Sequence, residues 1–243
     1  MWQFCLQLNN EIICEEFYLT FKQALKNFKG VVTKYNTNIL FAYNHHKVKN
    51  IIKTEIVKYI ILKFKVSYFE NKLKNVQLND IKKNALIKVL SMFDNKFDTL
   101  FVTSELEIDN ELVLESFIRF SLKDLLNKWD EIVALILNNS FYLFCSGTYN
   151  ELLKFLVNTI DTKWAEVNVI INNEEIIVFD KAFKHCLIKN TDNIIVLTEL
   201  IGFSPNTINI YCNNVVDCPA FSSILDIFQE KVKIKPLSSI QNI

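Results

Sequence analysis

ELVLESFIRFSLKDLLNKWDEIVALILN, Glu111 to Asn138, is the stretch around which the rest of the chain has to be arranged. Leu114, Ile118, Leu122, Leu125, Trp129, Ile132 and Ile136 recur at three- and four-residue steps, which places them on one stripe of a helix. A stripe of that length has to be buried against other elements. The spacing therefore predicts a long central helix, capped by Asp109, as the spine of the fold. No chemistry is written on it. Arg119, the chain's single arginine, lies off the stripe four residues after Glu115, a spacing that gives a surface ion pair worth roughly 0.2–0.5 kcal/mol.

Toward the N-terminus, Trp2 to Leu8 alternates apolar and polar residues and predicts a half-buried strand. Ile13 to Phe28 has helical spacing, with Gly30 as its expected C-terminal cap. Val31 to Tyr35 and Ile39 to Tyr43 flank Asn36-Thr37-Asn38 and predict a hairpin. A long helix is expected from about His46 to Leu73, followed by one capped at Asn79-Asp80 and running to Phe93. Phe97 to Asp109 is open: Ser104-x-x-Glu107 is either a capping box or part of a connector.

Beyond the spine, Thr148-x-x-Glu151 after Gly147 predicts a helix that buries Leu152, Phe155, Leu156 and Ile160. Val167 to Ile171 and Ile176 to Phe179 form a second hairpin around Asn172-Asn173-Glu174. Asn193 to Phe203 reads as a helix ending near Gly202, with IIVL as a strand the alternative. Thr207 to Cys212 is a strand, Pro219 opens a helix, and Val232 to Ile234 closes parallel to the strand before it. The expected class is α+β. Residues 1–75 form a mixed β-α-β-β unit with a long helix, 76–163 a central helical bundle, and 164–243 a small α/β unit, lobes that can pack as one domain.

Half of the residues are hydrophobic and the formal net charge is zero, so a sizeable core is expected and no global field selects nucleic acid or an anionic membrane. The N-terminus lacks the pattern of a secretory signal, and Lys58 and Lys63 interrupt the most apolar helix. The six cysteines show no C-x-x-C pair, and the expectation is a reduced, cytoplasmic protein. Three glycines exclude both the dinucleotide fingerprint and the P-loop. Histidines 45, 46 and 185 make no zinc-binding pattern, so neither metal nor cofactor is implied.

The sharpest catalytic option is a cysteine nucleophile. Cys212 ends a strand, Cys218 precedes a helix N-terminus, and His185 could act as base. The plainer reading of the same residues is buried thiols. The neighbouring carboxylates Glu15-Glu16 and Glu174-Glu175 diverge and read as solvated surface. Lys47, Lys49, Lys53 and Lys58, with Lys63 and Lys65 beyond them, make one helix basic, a candidate binding face or a solvated one. Arginine forks for phosphate are missing from it, which disfavours nucleic acid and membrane headgroups.

Three stretches together carry a family resemblance: FIRFSLKDLLNKWDEIV (Phe117 to Val133), TYNELLKFLVNTID (Thr148 to Asp161), and SPNTINIYCNN with SSILDIFQEKVKI (within Ser204 to Ile234). In order and spacing they resemble the YtxC-like sporulation proteins of endospore-forming bacteria. That family carries Phe-Arg-Leu where this chain has Phe120-Ser121-Leu122, so no family role transfers to Arg119. What the resemblance implies is a sporulation setting. Joined to the residue reading, the expectation is a protein that acts through contacts with another protein. The alternative is a cysteine-dependent enzyme or small-ligand module centred on the C-terminal sheet.

Overall fold

A computed structural model describes residues 2–45, 47–78, 80–138, 146–172, 175–212 and 219–240. The fold is α+β, with two mixed sheets whose strands alternate with helices along the chain. In chain order the first elements are β1 (Trp2–Gln7), α1 (Glu11–Ala24), β2 (Gly30–Tyr35), β3 (Asn38–Tyr43) and α2 (Lys47–Tyr59). A π-helical turn, Ile60–Phe64, joins α2 to α3 (Lys65–Leu73), and α4 (Asp80–Met92) and α5 (Asn95–Glu105) follow. Next come β4 (Glu111–Val113), α6 (Leu114–Ser116), a second π turn (Phe117–Ser121) and α7 (Lys123–Asn138). The remainder is α8 (Ser146–Thr159), β5 (Trp164–Asn172), β6 (Glu175–Asp180), β7 (Cys186–Asn190), α9 (Asn193–Phe203), β8 (Pro205–Cys212), α10 (Pro219–Phe228) and β9 (Val232–Pro236). These divide into two compact units, residues 1–67 with 95–134, and residues 68–94 with 135–243. The stretch 76–163, read in sequence as one bundle, is shared between them.

In the first unit the sheet order is β2-β3-β1-β4. Phe4 and Leu6 of β1 point into the core, as their alternation requires. Asn10 caps α1 by accepting from Ile12 N at 2.8 Å and Ile13 N at 3.1 Å. Cys14, Phe17 and Phe21 line the buried side of α1, and the Phe21 ring meets Phe41 edge-on at 5.0 Å. Gly30 does not cap that helix, which ends at Ala24. It begins β2 opposite Tyr43, where a Cβ would run into the tyrosine ring and lie 2.5 Å from the Ala42 carbonyl oxygen. Close approach of two strands, not a left-handed turn, is what glycine serves here. The hairpin turns on Asn36, whose positive φ of 52° suits asparagine.

The spine is not one helix. Glu111–Val113 leaves the helical pattern to pair in parallel with Cys5–Gln7, and Asp109, expected as a cap, instead accepts from Trp2 Nε1 at 3.2 Å. A three-residue run is too short for helical periodicity to be distinguished from a strand, so the pairing partner decides. The π turn then ends where Leu122 N donates to Phe117 O at 3.2 Å, five residues back. Leu114, Phe117, Ile118, Leu122, Leu125, Trp129, Val133 and Ile136 are buried, with Val133 taking the place expected of Ile132. Ser104, a candidate capping-box residue, lies in the last turn of α5 and donates to Phe101 O at 2.8 Å.

The second unit has sheet order β7-β6-β5-β8-β9. Strands β5, β6 and β7 are antiparallel neighbours, whereas β5–β8 and β8–β9 are parallel, as the strand–helix–strand succession predicts. The short strand β7 and its turn carried no alternation to reveal them. Val167, Val169, Ile208 and Ile210 are fully buried, and α9 packs on α4 while α10 packs on α8. Helix α8 starts at Ser146, so Thr148 and Glu151 lie inside it and do not frame its start; Phe155, expected in the core, is exposed and Leu153 is buried. The Asn79 cap and the turn at 173–174 lie outside the described residues. Among the described residues no helix is long and apolar enough to cross a membrane.

Candidate functional site

The basic helix is the sequence feature that the structure resolves most sharply, because it splits the lysines by role. Val57, Ile61, Lys65, Phe69 and Leu73 follow one another at four-residue steps, and all are apolar except Lys65. Lys65 is turned inward with them and is only 1% exposed. Its ammonium donates to Asp98 Oδ2 at 2.7 Å and Asn95 Oδ1 at 2.8 Å. Asp98 also accepts from Lys128 Nζ at 2.9 Å and from Trp129 Nε1 at 3.0 Å. One buried carboxylate therefore ties α3, α5 and α7 together. A buried charge has to be paired and hydrogen-bonded to be tolerated, and here both members are.

Directly before this clamp, α2, the first π turn and α5 enclose a groove of about 610 Å³. Val57 and Ile61 form its floor, and Leu62, within the π turn, is 60% exposed at its edge. Thr54, Thr99 and Thr103 add hydroxyls, and Lys53 and Lys58 add positive charge. Lys58 is ion-paired with Glu55 at 2.7 Å; Lys53 has no carboxylate partner among the described residues. No carboxylate is among the lining residues. The other two lysines of the candidate face are elsewhere: Lys49 stands over the Trp2 ring at 5.2 Å, and Lys47 is exposed. Lys63 pairs with Glu16 at 2.5 Å.

Cys212 and His185 are not brought together. Cys212 is buried at the end of β8, and Cys218 lies outside the described residues. His185 is exposed in the turn before β7, its carbonyl accepting from Asp180 N at 3.1 Å. Strand β7 is three places from β8 in the sheet, a lateral separation of roughly 14 Å. Register adds to this, since Cys186 is level with Phe179, Asn168 and Asn209, several residues short of Cys212. Burial pushes the Cys5 and Cys14 thiols up, opposite to what a nucleophile needs. Among the described residues no group of three or more His, Cys, Asp and Glu side chains is placed to hold a metal ion.

Two polar features escaped the sequence reading. One is Lys65 with Asp98, whose signal was a lysine in register with an apolar series. The other is a row across the second sheet, where Asn209 Nδ2 donates to Asn168 Oδ1 at 3.0 Å and also to Glu166 Oε1. Asn168 in turn donates to the carbonyls of Asp180 and Lys181 at 2.9 and 3.1 Å. The hydrogen bond from Asn209, helped by Lys181, holds the Glu166 carboxyl below its usual range. The sequence signal was the matched pair Val-Asn-Val and Ile-Asn-Ile at 167–169 and 208–210, an asparagine between two β-branched residues in each strand. In comparisons with known proteins, no family model, no curated protein and no solved structure matches the chain.

Proposed function

We propose that this chain is a sporulation-associated protein of the cytoplasm that works by holding a protein partner, and that the groove along α2 and α5 is its contact surface. The occupant is an amphipathic helical segment of that partner, with carboxylates flanking an apolar stripe. One observation carries the reading: the groove sets the exposed Leu62 beside Val57 and Ile61, framed by lysine and threonine with no carboxylate in its lining. A helix laid in such a groove anchors through apolar side chains at three- and four-residue steps, and opposite charge at the rim fixes its register. The clamp on Asp98 supports this use, since a groove between helices is specific only if its walls are held. The sporulation setting is supported by the resemblance carried by Phe117 to Val133, Thr148 to Asp161 and Ser204 to Ile234.

A photo-crosslinking residue at Leu62, with one at Phe155 as control, tests the surface in sporulating cells. Both side chains are exposed, so neither change disturbs the core. One defined species should crosslink from position 62 and not from 155. It should vanish with Lys53→Glu plus Lys58→Glu and survive Lys123→Glu. Its recovery should also fall as salt is raised from roughly 0.05 to 0.5 M, because rim charges are screened. Equal yields from both positions, or indifference to the groove lysines, would sink the proposal.

A further inference from the structure

The two π turns share a second hollow in the same unit. Strands β1 and β4 run parallel and end side by side, and where they end the chain turns into α1 on one side and α6 on the other. Between these lies a cavity of about 410 Å³. Leu8, Ile13, Leu114 and Ile118 contribute its apolar wall from the strand ends and helix starts, and Tyr59 and Phe64, which bracket the first π turn, contribute the other. Its polar residues are Asn9 and Asn10 just after β1, Tyr59, Glu115 of α6 and Arg119 of the second π turn. Asn10 Oδ1 is already engaged in capping α1. The charges left to a ligand are thus one carboxylate and one guanidinium, the only guanidinium in the chain.

We propose that this cavity binds a free amino acid with an aromatic or branched apolar side chain, held as its zwitterion. The side chain enters the apolar wall, the α-carboxylate takes Arg119, and the α-ammonium takes Glu115. Three observations converge. The volume lies within the roughly 300–1,000 Å³ typical of small-molecule sites and is ample for a single amino acid. The rim presents both signs of charge one helical turn apart, matching the two ends of a zwitterion. Glu115 and Arg119 meet through a single contact at 3.3 Å, longer than the roughly 2.7–2.9 Å of a strong charge-assisted bond, and both are open to solvent.

That pair is weak enough to exchange partners, since exposed ion pairs contribute about 0–1 kcal/mol. A simple monocarboxylate fits less well. It would draw Arg119 away and leave Glu115 facing a second anion, whereas an amino acid satisfies both groups at once. The π turns supply the geometry: an i→i+5 turn widens the helix locally, and such turns recur at functional sites. Here the second turn sets Ile118 in the apolar wall and its neighbour Arg119 at the rim.

Titration calorimetry on the full chain with L-leucine and L-phenylalanine tests this, with N-acetyl-L-leucine and L-leucinamide as probes lacking one charge each. Saturable binding of at least one amino acid is expected. Removing either charge from the ligand should weaken it by at least about tenfold, and so should Arg119→Gln or Glu115→Gln. Both side chains are about half exposed or more, so these variants should fold, and an unchanged far-ultraviolet circular dichroism spectrum checks that they do. Lys53→Glu should leave the affinity as it was, which separates this site from the groove. The proposal is overturned if no amino acid gives saturable heat, if the acetylated ligand binds as well as leucine, or if Arg119→Gln has no effect.

Discussion

Asp98 shows how much one side chain can decide in this molecule. It and Lys65 are each 1% exposed, and the carboxylate accepts three hydrogen bonds from three different side chains. Removing the acid leaves an ammonium in the core, which typically costs about 3–5 kcal/mol. Asp98→Ala should therefore lower the free energy of urea unfolding by roughly that amount. Lys65→Met combined with Asp98→Leu should recover a large share of the loss, because the pair then becomes apolar packing, while Trp129 Nε1 loses its Asp98 acceptor at about 1–3 kcal/mol. A double variant no better than Asp98→Ala would mean that the packing around the pair, not the charge, sets the cost. Part of this was legible. Lys65 stands four residues from Ile61 and four from Phe69, so periodicity alone marks it as an inward lysine. What periodicity cannot supply is the partner, because Asp98 comes from a segment whose own spacing left helix and connector equally open.

Among the elements, those with strong local period were readable and those decided by a distant partner were not. The alternation of Trp2 to Leu8 and the Asn36 turn mark β1 and the first hairpin without any tertiary contact. By contrast β4 exists because Cys5–Gln7 offers a free edge, and neither π turn has a sequence mark that separates it from an α-helix. The strand pair β5–β8 lies between these cases: its apolar runs announced both strands, but its polar row needed their register. That row makes a testable contribution. Glu166 has a folded-state pKa held below its ordinary value of 4.5, first by Asn209 and then by Lys181. Its contribution is therefore present above pH 4.5 and is lost as pH falls through the lower, folded-state value. Urea midpoints of the wild type and Glu166→Gln should differ most near neutral pH and converge as the carboxyl is protonated. A constant gap across that range would show that Glu166 does not titrate with folding.

At the scale of the whole molecule, chain order and spatial organisation part company. The second unit takes most of α3 and all of α4 from residues 68–94 and everything from residue 135 on, so its helices come from both sides of a long excursion into the first unit. The sequence placed a lobe boundary near residue 163, at the change from helix to strand, because composition along the chain reports element type and not which helix covers which sheet. The C-terminal stretch 164–243 has its own five-stranded sheet, yet α9 packs on α4 and α10 packs on α8, both of which precede that boundary. Val196, Leu197, Leu200 and Ile201 of α9 are all buried in the intact chain. Each such side chain contributes about 1.5–3 kcal/mol when fully buried. Losing even half of that for four residues is comparable with the roughly 5–15 kcal/mol that separates a folded domain from its unfolded chain. A fragment of residues 164–243 should accordingly show no cooperative urea transition and should bind a hydrophobic dye, whereas the full chain should unfold cooperatively. Cooperative unfolding of the fragment would mean that its sheet and two helices suffice, and that α4 and α8 only cover what is already stable.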